Sequence, residues 1–177
     1  RFGSRLGDGA LGLLKASLGD ESMGIRLATI QGLADLGDYS AFDLIEDIAS
    51  QPASEESVAA AAELARLGRD KGERLLVEAL SDERPVIRKS VMLMLERGKV
   101  AARRKLLMER LSDKSKEVSL LAAHLLRNDR DAREDVIKTL KDIARVDEKL
   151  ADEANAALAN LGDRRAVFGI EARLRAG

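Results

Sequence analysis

Apolar side chains recur at helical spacing along this chain, and small turn residues cut the pattern into short segments. Ile25 to Leu36 places apolar positions on one face of a helix, and Gly37-Asp38 supplies a C-terminal stop. Beyond the stop, Ala41, Phe42, Ile45, Ile48 and Ala49 form a second amphipathic stripe. The pair predicts a helical hairpin. The same pattern returns from Leu150 to Leu161, with a stop at Gly162-Asp163 and a second stripe of Ala166, Val167, Ile170 and Leu174. Side-chain caps are predicted at Ser22, Ser54, Ser115 and Asp147, and Pro85 suits a first helical turn.

The hairpins form a series. Leu33, Leu64, Leu95, Leu126 and Leu158 stand 31, 31, 31 and 32 residues apart. Eight residues upstream lie Ile25, Glu56, Ile87, Val118 and Leu150, with Val58 able to replace Glu56 in the core. Four residues downstream lie Gly37, Gly68, Lys99, Arg130 and Gly162. Helices of about 12 to 14 residues are marginal alone, because nucleating a helix is costly, so neighbouring hairpins must stabilise one another. The expected fold is all-α: a right-handed α-solenoid of about five 31-residue hairpins. The repeats are placed at 19–50, 51–81, 82–111, 112–144 and 145–177, after a partial repeat over 1–18, in one domain over 1–177. Gly7-Asp8 to Gly12 is read as a break between helices rather than a phosphate loop, since no strand precedes it and no Gly-Lys-Ser follows.

These residues resemble HEAT repeats, in particular the short bacterial class named for phycobilisome lyases. Asp82-Glu83-Arg84-Pro85-Val86-Ile87-Arg88 matches that family's helix opening. Leu6-Gly7-Asp8, Leu36-Gly37-Asp38 and Leu161-Gly162-Asp163 match its break. The family's arginine is kept only as Arg26 and Arg88, with Ser57, Ser119 and Ala151 elsewhere, so an arginine-to-aspartate ladder between repeats is expected to be incomplete. The third and fourth repeats depart at their breaks, Gly98-Lys99 and Asp129-Arg130-Asp131, and the fourth second helix is expected to be longer. The resemblance implies second helices lining a concave partner-binding surface.

Composition removes much chemistry. The 177 residues contain no cysteine and one histidine, which excludes disulfides, thiolate sites and any site with two imidazole ligands. No cofactor and no metal site are expected. His124 is read as a surface residue. Asp43 with Glu46 and Asp47, and Glu134 with Asp135, are read as solvated helix faces rather than catalytic pairs. No apolar run is long enough to cross a bilayer and Arg1 opens the chain without a signal segment, so a cytoplasmic piece of a larger protein is expected, with no membrane insertion.

Charge is unevenly spread. Residues 1–60 carry 4 basic and 10 acidic side chains, residues 61–120 carry 15 and 10, and residues 121–177 carry 11 of each. A surface acidic at one end and basic further on would orient a partner of opposite polarity. The reading is therefore a non-enzymatic protein-interaction scaffold. Its candidate contact residues are Tyr39, Asp43, Asp47, Arg74, Glu78, Arg103, Arg104, Lys105, Glu109 and Lys138. A bilin lyase-like subunit or chaperone is the alternative that the resemblance implies, and exposed terminal repeats would let two copies pair. Nonspecific nucleic-acid binding through residues 97–116, with eight basic and two acidic side chains, is a further alternative. It is disfavoured because no aromatic interleaves that stretch.

Overall fold

The computed structural model describes residues 2–97 and 102–163, the side chains of 2–8, 10 and 97 excepted, and every regular element among them is helical. The elements are α1 (Phe2–Ser17), α2 (Met23–Asp35), α3 (Phe42–Ala49), α4 (Glu55–Arg66) and α5 (Asp70–Ala79), followed by α6 (Pro85–Arg97), α7 (Arg103–Arg110), α8 (Lys116–Leu125), α9 (Arg133–Val146) and α10 (Ala151–Asn160). From α2 to α9 they alternate as first and second helices within the stretches read as repeats. At 8, 10 and 8 residues, α3, α5 and α7 are shorter than expected, whereas α9 has 14. The break at Gly98-Lys99 and the second helix beyond Gly162-Asp163, with Arg164, Arg165, Arg173 and Arg175, lie outside the described residues.

Glycine ends three of the first helices. Gly37, Gly68 and Gly162 have φ of +77°, +76° and +85°, a region costly for any residue with a Cβ. At each, the glycine amide reaches back three residues and the next amide reaches back five, as in Asp38 N to Leu33 O at 2.9 Å, which satisfies carbonyls a helix end would leave open. The expected break at Gly7-Asp8 is absent. Helix α1 runs through it from Phe2 to Ser17, and no positive φ occurs there. Mid-helix glycine costs only about 0.5–1 kcal/mol, and a neighbouring helix can offset that.

Pro85 opens α6, and Ser54 and Ser115 cap α4 and α8, Ser54 in a reciprocal box with Ser57. The other two predicted caps differ. Ser22 makes no side-chain cap, and its amide instead donates to Asp20 at 2.8 Å. Asp147 ends α9 and accepts the amides of Lys149 and Leu150 at 3.1 Å, while α10 starts four residues later. A short carboxylate fits a turn as readily as a helix start.

The chain divides into two compact units, residues 1–82 with 93–100, and residues 83–92 with 101–177. In the first, α1 packs on α2, α2 on α3 and α4, α3 on α4, and α4 on α5. In the second, α7 packs on α8, α8 on α9, and α9 on α10. The leucine column is the core of both: Leu33, Leu64 and Leu95 are fully buried, and Leu126 and Leu158 nearly so. Each such burial is worth about 1.5–3 kcal/mol. The upstream column holds at Val58, Ile87 and Val118, but Ile25 is 45% exposed. Helix α1 reaches α2 one to two turns further on, where Leu14 meets it at Gly32.

A second periodic feature is polar. Arg26, Ser57, Arg88 and Ser119 stand 31 residues apart, and each side chain donates to turn carbonyls five or six residues back. Arg26 binds the Asp20 and Glu21 carbonyls, Ser57 that of Pro52, Arg88 that of Glu83 and Ser119 that of Asp113. Arginine and serine are interchangeable here because the need is a donor, whatever its charge.

Candidate functional site

Charges on this protein fall into two groups, those joining one hairpin to the next and those the fold leaves unused. Lys15 Nζ lies 2.8 Å from Asp38, and Lys141 Nζ lies 2.7 Å from Asp163, so two Leu-Gly-Asp breaks are tied to a lysine of the preceding second helix. At the corresponding place on α4–α5 the polarity is reversed: Arg69 replaces the aspartate, and Glu46 of α3 accepts from Lys71 at 3.0 Å. The Arg69 guanidinium lies over the Phe42 ring at 4.6 Å, and Tyr39 meets that ring edge-on at 5.0 Å. Tyr39 sits in the α2–α3 turn, 59% exposed.

In the second unit, Arg88 of α6 clasps Asp113 with two nitrogens at 2.9 and 2.5 Å, both side chains being nearly inaccessible. Burial works against the Asp113 charge, but the Arg88 hydrogen bonds, the Ser115 amide and the charges of Arg88 and Arg110 more than offset it and lower the pKa. Arg104 binds Asp129 at 2.7 Å, raising its own pKa and lowering that of the aspartate. Lys116 at 2.7 Å and Arg145 at 3.1 Å share Asp142 and hold its carboxyl below the usual range. The incomplete arginine ladder is therefore a single rung, Arg88–Asp113. Arg26 has Gln51 where a second aspartate would stand.

The unused charges follow the repeat. Asp43, Arg74 and Lys105 are 31 residues apart, as are Asp47, Glu78 and Glu109. All six are exposed on second helices, and among the described residues none forms an ion pair or side-chain hydrogen bond. Each helix thus carries an exposed pair four residues apart, on one face. Lys138 of α9 is exposed and unpaired in the same sense. Arg103 and Arg104 stand apart from this set: Arg103 is half-buried, and Arg104 is bound by Asp129.

Within residues 97–116, Arg104, Arg110 and Lys116 all face carboxylates, so the segment is not a bare cationic stripe. His124 is half-buried rather than solvated, because α10 places Glu153 3.6 Å from its Nδ1. No group of ligands able to hold a metal ion occurs among the described residues, and no helix there is long and apolar enough to cross a membrane.

Two grooves of similar construction flank second helices. One, of about 520 Å³, runs along the α3–α4 turn and α5, with Pro52, Val58 and Leu75 among its walls. The other, of about 790 Å³, runs along the α7–α8 turn and α9, and brings Lys138 together with Lys116, Asp135, Asp142 and Arg145. Of these only Lys138 was among the candidate contact residues, and Asp135 was read with Glu134 as a solvated helix face. The spacing of Lys138, Lys141 and Arg145 at three and four residues could have marked the α9 face, but nothing local links Lys116 to Asp142. No protein-family model matches the chain, and no curated protein matches it.

Proposed function

We propose that this protein is a non-enzymatic interaction module of stacked HEAT-like hairpins. It holds a protein partner on the exposed faces of its second helices, α3 and α5 in one unit and α7 and α9 in the other. The observation that supports this reading is the recurrence, every 31 residues along the chain, of unpaired exposed charges at 43, 74 and 105 and at 47, 78 and 109. Where a charge sits between hairpins, the fold often matches it with an opposite one. On these faces it does not, so those side chains keep their full hydration and are available to steer and orient a partner. An exposed Tyr39 beside Phe42 adds an aromatic anchor of the kind that dominates binding energy.

The test uses the purified chain as bait, and then the partner it retains in a quantitative titration. Reversing Asp43 and Asp47 to lysine, or Lys105 to glutamate, should weaken binding about tenfold or more at low salt, with unchanged helical circular dichroism. The difference should shrink as salt rises. Equal affinity for all three baits would retire the proposal.

A further inference from the structure

We propose that the groove between α7 and α9 is a docking slot for an acidic, leucine-containing peptide segment of a protein partner. This rests on the binding-module reading and names the chemistry of one of its contacts. The groove has an apolar base, with Met108 half-buried and Leu111 buried at the end of α7, and its volume of about 790 Å³ suits a few side chains rather than a folded domain.

Its walls carry an excess of positive charge that the fold does not cancel. Asp142 is shared by two cations, Lys116 and Arg145, so one positive charge remains after pairing. Asp113 is committed to Arg88 and Arg110 and offers no free charge to the groove. Lys141 is neutralised by Asp163. Lys138 has no carboxylate partner among the described residues, and the one uncommitted acid on the wall is Asp135, exposed three residues before it. An incoming carboxylate can therefore bind Lys138, or bridge Lys116 and Arg145, without breaking an existing pair.

The counterpart groove along α3 and α5 makes the assignment specific. It has the same relation to its turn and second helix, yet its only charged lining residues are Glu78 and Asp82. An acidic segment would be repelled there. The slot is thus a property of the residues on α7, α8 and α9 and not of the hairpin architecture.

The experiment measures fluorescence anisotropy of a labelled peptide made of four Asp-Leu-Glu triplets, titrated with the intact chain at about 50 mM salt. Binding should be lost on raising salt several-fold, because the attraction is largely coulombic. Lys138→Glu, at an exposed position, should weaken it about tenfold, whereas Lys149→Glu, exposed and outside the groove, should change it less than twofold. The matching Lys-Leu-Lys peptide should not bind. Unchanged affinity in Lys138→Glu overturns the proposal, as does equal binding of the basic peptide, or displacement of the acidic peptide by a single-stranded oligonucleotide at stoichiometric concentration. Should the peptide fail while reversal of Asp43 and Asp47 still weakens partner binding, the slot falls and the module stands.

Discussion

Arg88 and Asp113, twenty-five residues apart, form a two-point ion pair that is almost sealed from water, with 2% and 3% of their side chains exposed. A third nitrogen of the guanidinium holds the Glu83 carbonyl at 3.0 Å. One arginine thereby fixes the start of its own helix and the turn before α8. Removing either partner strands a buried charge, which costs about 3–5 kcal/mol, whereas replacing both by apolar residues of similar size is often neutral.

Arg88→Met is accordingly expected to lower stability by about 3–5 kcal/mol in urea denaturation, and Arg88→Met with Asp113→Leu to recover most of that loss. A double variant no more stable than the single would show that the pair contributes through the Glu83 carbonyl instead.

Three glycines should respond differently to alanine. Gly72, in the first turn of α5, lies directly against α4: an added Cβ would run into the Ala65 amide and Ala61 carbonyl and lie 2.7 Å from Leu64 Cβ. Backbone cannot yield as a flexible side chain can, so Gly72→Ala should cost at least the 1–3 kcal/mol typical of overpacking, about 3 kcal/mol or more. Gly68→Ala forces a Cβ into φ of +76° with free space around it, and should cost about 1–2 kcal/mol. Gly9 lies within α1 with nothing near its missing Cβ, and Gly9→Ala should stabilise by about 0.5–1 kcal/mol. Thermal melts of the three variants check the order.

Acid should destabilise the protein. Asp38, Asp129 and Asp142 are held below the ordinary aspartate pKa chiefly by hydrogen bonds from Lys15, Arg104 and Lys116 respectively, and Asp113 by Arg88 against the opposing effect of burial. A folded-state pKa below the unfolded value means that the unfolded chain binds more protons in the interval between them. The contribution is complete above the unfolded pKa of about 3.9 and is lost as pH falls through the lower folded values. Urea midpoints should hold between about pH 7 and 5 and drop below about pH 4. A midpoint that rises on acidification would contradict these four assignments.

Much of the fold was legible in the chain because its signals are local and repeated. Leu33 to Leu158 recur at the period of the hairpin and all five are buried. Gly37, Gly68 and Gly162 were readable as stops because the left-handed backbone they adopt excludes most other residues. The same rule misled at Gly7, where glycine sits inside α1 with no demand on φ. Ile25 was apolar and in register, yet it is 45% exposed, because core position depends on what lies across from a residue and not on period alone.

The candidate contact residues divide along the same line. Positions 43, 74 and 105, like 47, 78 and 109, were identifiable as outward because helical period alone sets which face a side chain takes. That Arg104 is bound to Asp129, that Glu46 and Lys71 reverse the polarity of their neighbours, and that Lys138 shares a groove with Lys116 and Arg145 was decided only when hairpins packed. The sequence by itself determined the helical class, the three glycine stops and the buried leucine column, since each follows from backbone geometry over a few turns. Which charges cancel and which remain free was settled by tertiary structure, because an ion pair needs two ends within about 4 Å, and helix packing brings together side chains that the chain separates by 22 to 29 residues.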